Sequence, residues 1–128
     1  MIYLLDTCAL LWWWTEPQSL SRRALALMKD PQNDFFVSSA SAWEVATKYR
    51  IGKYPAGSQV IAEWGKRLGE DRFKELPIGF SDALKAGTLP GDHRDPFDRM
   101  IAAQAMLANM PVITSDPEIA GLGAETLW

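Results

Sequence analysis

Short runs of apolar residues alternate along this chain with longer segments of helical periodicity. The runs Met1 to Leu5, Phe35 to Val37 and Pro111 to Thr114 have the length and composition of strands that are buried on both faces. Strands separated by helices join through right-handed crossovers, which place helices on both sides of a sheet. The alternation therefore predicts a three-layer α/β/α sandwich with a mainly parallel central sheet.

The segments between these runs carry apolar residues at spacings of three and four. We expect helices over residues 21–29, 41–51, 60–68, 81–85 and 95–109, a helical stretch directly after the first strand, and weaker strands over 73–78 and 125–128. The start at Asp95-Pro96 is the clearest, because an acid followed by proline is typical of a helix N-terminus. A chain of 128 residues is near the common size of one domain, so residues 1–128 are expected to form a single domain.

Several classes of protein are excluded by composition. No apolar stretch approaches the roughly 20 residues that span a bilayer, and the first residues lack a basic signal region, so we expect no membrane segment and a cytoplasmic location. Cys8 is the only cysteine and His93 the only histidine. An internal disulfide and a closed Cys/His zinc site are therefore excluded, and a Ser-His-Asp triad would depend on His93 alone. The side-chain chemistry that remains available for a functional site is that of carboxylates.

Four acidic residues stand where this fold would bring them together. Asp6 and Asp116 directly follow predicted strands, whereas Glu44 and Asp98 lie near the start of predicted helices. In open parallel sheets the ligand site lies beyond the carboxyl ends of the strands, where the strand order reverses. We expect all four carboxylates to converge at that edge.

Each acid taken alone also has an ordinary structural explanation. Asp6 and Asp116 could cap the helices that follow them, and Glu44 could close a capping box with Ser41. Asp98 could be an acid of the first helical turn, favoured by the helix dipole.

Together, however, four like charges at one edge need a compensating cation. Carboxylate oxygens without histidine are ligands that suit Mg²⁺ or Mn²⁺, and such a centre suits hydrolysis of phosphodiesters. With the four acids set aside, the net charge of −3 becomes slightly positive, which is compatible with a phosphate substrate.

With these residues in place, the sequence resembles the PIN-domain ribonucleases, specifically the VapC-type toxins of bacterial toxin–antitoxin pairs. The resemblance covers nearly the whole chain. It rests on Tyr3-Leu-Leu-Asp-Thr7, on Val37 to Val45 followed by Lys48 and Ile51-Gly-Lys53, on His93 to Arg99 with Ile101-Ala-Ala-Gln104, and on Ile113-Thr-Ser-Asp116.

The resemblance implies a ribonuclease that depends on Mg²⁺ or Mn²⁺, is homodimeric and is silenced by a small antitoxin protein. The acidic quartet that it implies is Asp6, Glu44, Asp98 and Asp116, which leaves Asp95 as a helix cap or an outer residue of the site. Hydrolysis would use water activated by the ion to attack the phosphorus.

Other polar residues flank the quartet. Thr7, Thr114 and Ser115 stand next to ligands and could hold the carboxylates by hydrogen bonds, or could satisfy the backbone of the turns instead. Arg94 and Arg99 could bind substrate phosphates, or could simply be solvated.

Trp12, Trp13 and Trp14 are consecutive, and successive helical residues lie about 100° apart, so the three cannot all face one core. At least one should be partly exposed. Our hypothesis is that they border a groove or a dimer surface, because aromatic residues are enriched in interfaces. The alternative is two core residues and one that lies on the surface.

Two other functions stay open at this stage. One is an Mg²⁺-binding phosphatase or receiver-like domain, although the former would need a second aspartate where Cys8 stands. The other is a catalytically silent PIN-fold module that only binds a protein or RNA. Cleavage of RNA with and without metal discriminates among them.

Overall fold

The computed structural model describes all residues from 1 to 128. Its five strands are β1 (Ile2–Leu5), β2 (Asp34–Ser38), β3 (Lys74–Leu76), β4 (Val112–Ile113) and β5 (Thr126–Leu127). They form one sheet in the order β3-β2-β1-β4-β5, in which every neighbouring pair is parallel. The predicted parallel sheet is confirmed.

Helices connect the strands. They are α1 (Thr7–Thr15), α2 (Arg22–Lys29), α3 (Ser39–Arg50), α4 (Gly57–Ala62), α5 (Trp64–Asp71), α6 (Phe80–Thr88), α7 (Pro96–Ala108) and α8 (Pro117–Gly121), with a short 3-10 turn at Pro17–Ser19. The predicted start of α7 at Asp95-Pro96 is confirmed. The single helix predicted over 60–68 is wrong, because the chain breaks at Glu63 into α4 and α5.

The sheet has an apolar core on each face. Tyr3 and Leu5 project from β1 into a cluster with α1, α2 and α5, whereas the intervening Leu4 projects into a cluster with α6, α7 and α8. Alternate residues of a strand face opposite sides, so a continuously apolar β1 is what a sheet covered on both faces requires. The three predicted layers are confirmed.

The strand order reverses beside β1. The chain moves outward from β1 through β2 to β3, and then returns through α6 and α7 to β4 on the other side of β1. This reversal leaves a crevice beyond the carboxyl ends of β1 and β4. Gln104 of α7 is buried and joins this helix to the carboxyl ends of β2 and β3: its Oε1 accepts from the Ser38 hydroxyl at 2.5 Å, and its Nε2 donates to the Pro77 carbonyl at 3.1 Å.

The consecutive tryptophans of α1 are all half-buried, which confirms the expected partial exposure. All three nevertheless pack against the same core cluster, so the expectation that they could not all face one core is wrong. Each packs against a different aromatic partner: Trp12 against Trp128, Trp13 against Phe73, and Trp14 against Trp64. Their proposed place at a groove or dimer surface stays a prediction.

None of the helices has the length and apolar character that a membrane-spanning segment requires.

Candidate functional site

Asp6 follows β1 and caps α1, and only 4% of the residue is exposed. One carboxylate oxygen accepts from the Ala9 backbone N–H at 2.7 Å, and the other accepts from the Thr114 hydroxyl. Burial raises the pKa of Asp6 to about 6, helped by repulsion from Asp98 and Glu44 and opposed by the two hydrogen bonds. Asp6 is therefore both a helix cap and a buried acid facing other acids.

The start of α3 differs from the sequence-based expectation. Ser38 is the N-cap, and its hydroxyl accepts from the Ala40 backbone N–H at 3.0 Å. Glu44 consequently lies in the second turn, so the capping box of Ser41 with Glu44 is wrong. Ser41 instead shares a hydrogen bond of 2.9 Å with the Thr7 hydroxyl, which joins α3 to the residue after Asp6.

Glu44 is buried and forms an ion pair with Lys48, one helical turn further on. Burial lowers the pKa of the Lys48 ammonium, but its hydrogen bond and attraction to Glu44 outweigh that effect, and the net pKa is raised. The sequence analysis did not predict this ion pair, although a glutamate followed four residues later by a lysine commonly forms one on a helix.

Asp98 lies in the first turn of α7. Asp95 caps this helix by accepting from the backbone N–H groups of Phe97 at 2.9 Å and Asp98 at 3.3 Å. The carboxylate of Asp98 is 2.8 Å from the Nε2 atom of His93. Burial raises the pKa of Asp98 to about 6, the contact with His93 opposes this, and repulsion from Asp95, Asp116 and Glu44 adds to it.

His93 reaches the acidic cluster from the loop before α7. Its hydrogen bond to Asp98 raises the pKa of the imidazole, with further attraction from Asp98 itself and from Glu118. The Nδ1 atom of His93 lies 3.6 Å from the Glu118 carboxylate. No spacing rule in the sequence indicated this contact, because the loop before α7 has no regular geometry.

Asp116 follows β4 and caps α8, its carboxylate accepting from the Glu118 N–H at 2.9 Å. Its own backbone N–H donates at 3.0 Å to the hydroxyl of Thr114, which also bonds to Asp6. Thr114 therefore connects the two strand ends that carry acids. Ser115 is exposed and makes no side-chain hydrogen bond within the chain.

The four predicted acids occupy one edge of the sheet but do not form a tight cage. No three of them bring ligand atoms within 4.8 Å of one another, whereas His93, Asp95 and Asp98 do. The oxygens of Asp6 and Glu44 are directed instead toward protein partners: Ala9 and Thr114 for the former, Lys48 for the latter.

The two arginines beside Asp98 differ in their surroundings. Arg99 donates to the backbone carbonyls of Ala86 at 2.8 Å and His93 at 2.9 Å, and also to that of Leu89. Its guanidinium therefore holds the loop between α6 and α7, and its contact with a substrate phosphate stays a prediction. Arg94 is exposed and makes no hydrogen bond or ion pair within the chain.

The donor set of this edge fits a divalent cation. Its acids offer oxygen ligands of the kind that Mg²⁺ and Mn²⁺ prefer. Burial disfavours the anionic forms of Asp6 and Asp98, and repulsion from other acids of the edge, Glu44 among them, adds to this effect. Lys48 is the one ammonium paired with the cluster. A cation at this edge would relieve the repulsion that raises both aspartate pKa values.

A parallel sheet with acids beyond the ends of its central strands defines an α/β domain with a carboxylate centre. The model of the PIN domain family matches residues 3–124, and the chain belongs to this family. No curated protein matches the chain by sequence.

Solved structures of similar fold include VapBC2 from Rickettsia felis bound to a DNA fragment from its promoter, with 20% identity, coverage of 99% of this chain and 98% of that chain, and a TM-score of 0.71. VapBC-1 from nontypeable Haemophilus influenzae has 22% identity, coverage of 99% and 97%, and a TM-score of 0.65. FitAcB from Neisseria gonorrhoeae has 20% identity, coverage of 100% and 97%, and a TM-score of 0.65. At these identities the likeness shows a common fold.

Proposed function

We propose that this chain is a metal-dependent endoribonuclease that hydrolyses RNA phosphodiester bonds and acts as the toxin of a toxin–antitoxin pair. The observation that carries the proposal is the buried carboxylate of Asp6, held beside Asp98 and Glu44 at the reversal of a PIN-domain sheet. A buried acid repelled by two others is an arrangement that favours cation binding.

The residues that would hold Mg²⁺ or Mn²⁺ are Asp6, Glu44, Asp98 and Asp116. A bound divalent ion would supply positive charge to the phosphate group and would acidify water for its attack.

The remaining roles belong to residues of the chain itself. Thr114 orients Asp6, and Asp95 fixes the first turn of α7 and thereby Asp98. Lys48 balances the charge of Glu44. The Nε2 atom of His93 lies 2.8 Å from the Asp98 carboxylate and helps to hold that side chain in place.

Toxin function and partners are proposed by similarity of fold. Structures of similar fold include VapBC complexes, the FitAB protein bound to a DNA fragment, and a toxin–antitoxin complex from Klebsiella pneumoniae. For this chain we propose a small antitoxin as inhibitor, a homodimer as the assembly and the cytoplasm as the place of action.

The test is incubation of purified, antitoxin-free protein with structured and unstructured RNAs in Mg²⁺, in Mn²⁺ and in chelator. We expect cleavage only with metal, and its loss in Asp6→Asn and Asp98→Asn. Glu70→Gln is the matched control, because Glu70 is an exposed acid on α5, away from the four candidate ligands. Cleavage that survives chelation or both aspartate variants would refute the proposal, and hydrolysis of a phosphomonoester instead of RNA would favour a phosphatase.

A further inference from the structure

Trp43 differs from the other tryptophans of this chain. It is 58% exposed, whereas the other five are half-buried. Burying a tryptophan side chain removes a large apolar area from water, so an exposed one leaves much of this stabilisation unused in the isolated chain. Its surroundings show what it is positioned to contact.

The ring of Trp43 is held in place by Phe97. The two ring centroids lie 4.9 Å apart at an interplanar angle of 81°, an edge-to-face contact between α3 and α7. Trp43 directly precedes Glu44, and Phe97 directly precedes Asp98. The aromatic pair is therefore attached to the same two helical turns that present two of the candidate metal ligands.

A small cavity of about 180 Å³ adjoins this pair, and both Trp43 and Arg94 line it. Arg94 is the exposed arginine that has no partner within the chain. An exposed aromatic ring beside an unpaired guanidinium is the combination that binds single-stranded nucleic acid, with the ring stacking on a base and the cation contacting the backbone.

We propose that Trp43 stacks on an unpaired RNA base next to the bond that is cut, and that Arg94 binds a neighbouring phosphate. This inference rests on the proposed ribonuclease function and specifies its substrate class as RNA in which that base is unpaired. Bases within a duplex are already stacked on one another, whereas unpaired bases are free to stack on aromatic side chains.

Binding measurements separate stacking from cleavage. In the Asp98→Asn background, we would titrate a labelled single-stranded oligoribonucleotide of mixed sequence and an abasic oligomer of equal length, following fluorescence anisotropy. Trp43→Leu is expected to weaken binding of the base-bearing oligomer by about ten- to a hundredfold, as stacking on one base contributes, and to leave the abasic oligomer unaffected. Trp43→Phe keeps an aromatic face and should retain most of the affinity.

Arg94→Gln is expected to weaken both oligomers and to reduce the salt dependence of binding, because its contact is to phosphate. Equal weakening of both oligomers by Trp43→Leu would show a structural role and overturn the stacking proposal. Unchanged RNA binding by Trp43→Leu would also overturn the stacking proposal. If that variant in addition loses self-association in sedimentation, Trp43 is identified as a contact between proteins.

Failure of the ribonuclease proposal is distinguishable from failure of this one. With otherwise wild-type protein, Trp43→Leu should raise KM for single-stranded RNA while kcat changes little. If wild-type protein cleaves no RNA in Mg²⁺ or Mn²⁺, the ribonuclease proposal fails, and the anisotropy titration still decides whether Trp43 binds unpaired bases.

Discussion

The hydroxyl of Thr114 donates a hydrogen bond to the buried carboxylate of Asp6, a residue 108 positions earlier in the chain. The bond joins the carboxyl ends of β4 and β1, on the two sides of the strand-order reversal. It also opposes the effect of burial on the Asp6 pKa. The same hydroxyl accepts from the Asp116 backbone N–H, so that one threonine is in contact with two of the four acids.

Replacing Thr114 with valine keeps the shape of the side chain and removes its hydrogen bond. The Asp6 pKa should rise, because the lost bond lowers it in the native protein. We expect the protein to lose about 1–2 kcal/mol of unfolding free energy in chelator, as for a buried group left without its partner. Metal affinity should fall about ten- to a hundredfold, the usual effect of losing a residue that orients a ligand.

Urea unfolding and calorimetric titration with Mn²⁺ measure these two effects. Thr88→Val is the control, because the Thr88 hydroxyl bonds only to carbonyls of its own helix and is exposed. Equal effects of the two substitutions would contradict the role given to Thr114.

Asp6→Asn should stabilise the metal-free protein at pH 7.5 while it abolishes metal binding. The pKa of Asp6 is raised from 3.8 to about 6 on folding, so ionising this residue costs about 3 kcal/mol more in the folded protein than in the unfolded chain, at 1.36 kcal/mol per pKa unit. Asparagine avoids this cost but makes a weaker bond to Thr114, so we expect a net gain of about 1–2 kcal/mol. Chemical unfolding in chelator gives the stability and calorimetry gives the metal affinity. A less stable variant that still binds Mn²⁺ normally would contradict both expectations.

The stability of the metal-free protein should depend on pH through Asp6 and Asp98. Both have folded pKa values raised to about 6, so between about pH 4 and pH 6 the folded protein binds more protons than the unfolded chain. Their contribution to the free energy of unfolding is therefore fully present below about pH 4 and is lost as the pH rises through 6. The difference between the unfolding free energies of wild-type protein and Asp6→Asn, followed from pH 4 to 8, isolates the share of Asp6. A difference that is constant with pH would show that the Asp6 pKa is not raised.

Mg²⁺ should raise the melting temperature more at pH 7.5 than at pH 5, because metal binding requires the ionised acids and competes with their protonation. Differential scanning calorimetry with and without the ion checks this expectation. The Asp6→Asn variant should show no such pH-dependent gain.

Lys48→Gln removes the ammonium that pairs with buried Glu44. The metal-free protein should become less stable, because a buried carboxylate then has no cationic partner. Stabilisation by Mn²⁺ should increase, since the ion no longer competes with an ammonium. Thermal melts with increasing Mn²⁺ test this, and Lys53→Gln is the control, because Lys53 is exposed and forms no ion pair. Weaker Mn²⁺ binding by Lys48→Gln would show instead that Lys48 orients Glu44 for the metal.

The sheet and the position of the site were predictable from local signals. Apolar runs of three to five residues mark β1 and β2, and Asp95-Pro96 marks the start of α7. Residues that follow parallel strands must meet at one edge, so the approximate location of Asp6 and Asp116 required no knowledge of side-chain positions.

The details that failed depend on tertiary structure. Ser38, Ser39 and Ser41 are all good caps, and the choice of Ser38 depends on where β2 leaves the sheet. The role of Arg99 was missed because its acceptors are carbonyls of a loop and a helix end brought together by folding. The break at Glu63 follows no glycine or proline, and the apolar spacing continues across it.

The contact between Asp6 and Thr114 has a consequence for synthesis of the protein. Asp6 and Thr114 are 108 positions apart, so the ribosome adds the threonine long after the acid that it bonds to. A nascent chain that lacks β4 can form neither the crevice nor the complete set of acids at its edge. During synthesis the acidic edge therefore stays incomplete until β4 has left the ribosome, and a metal site at that edge would form only after that point.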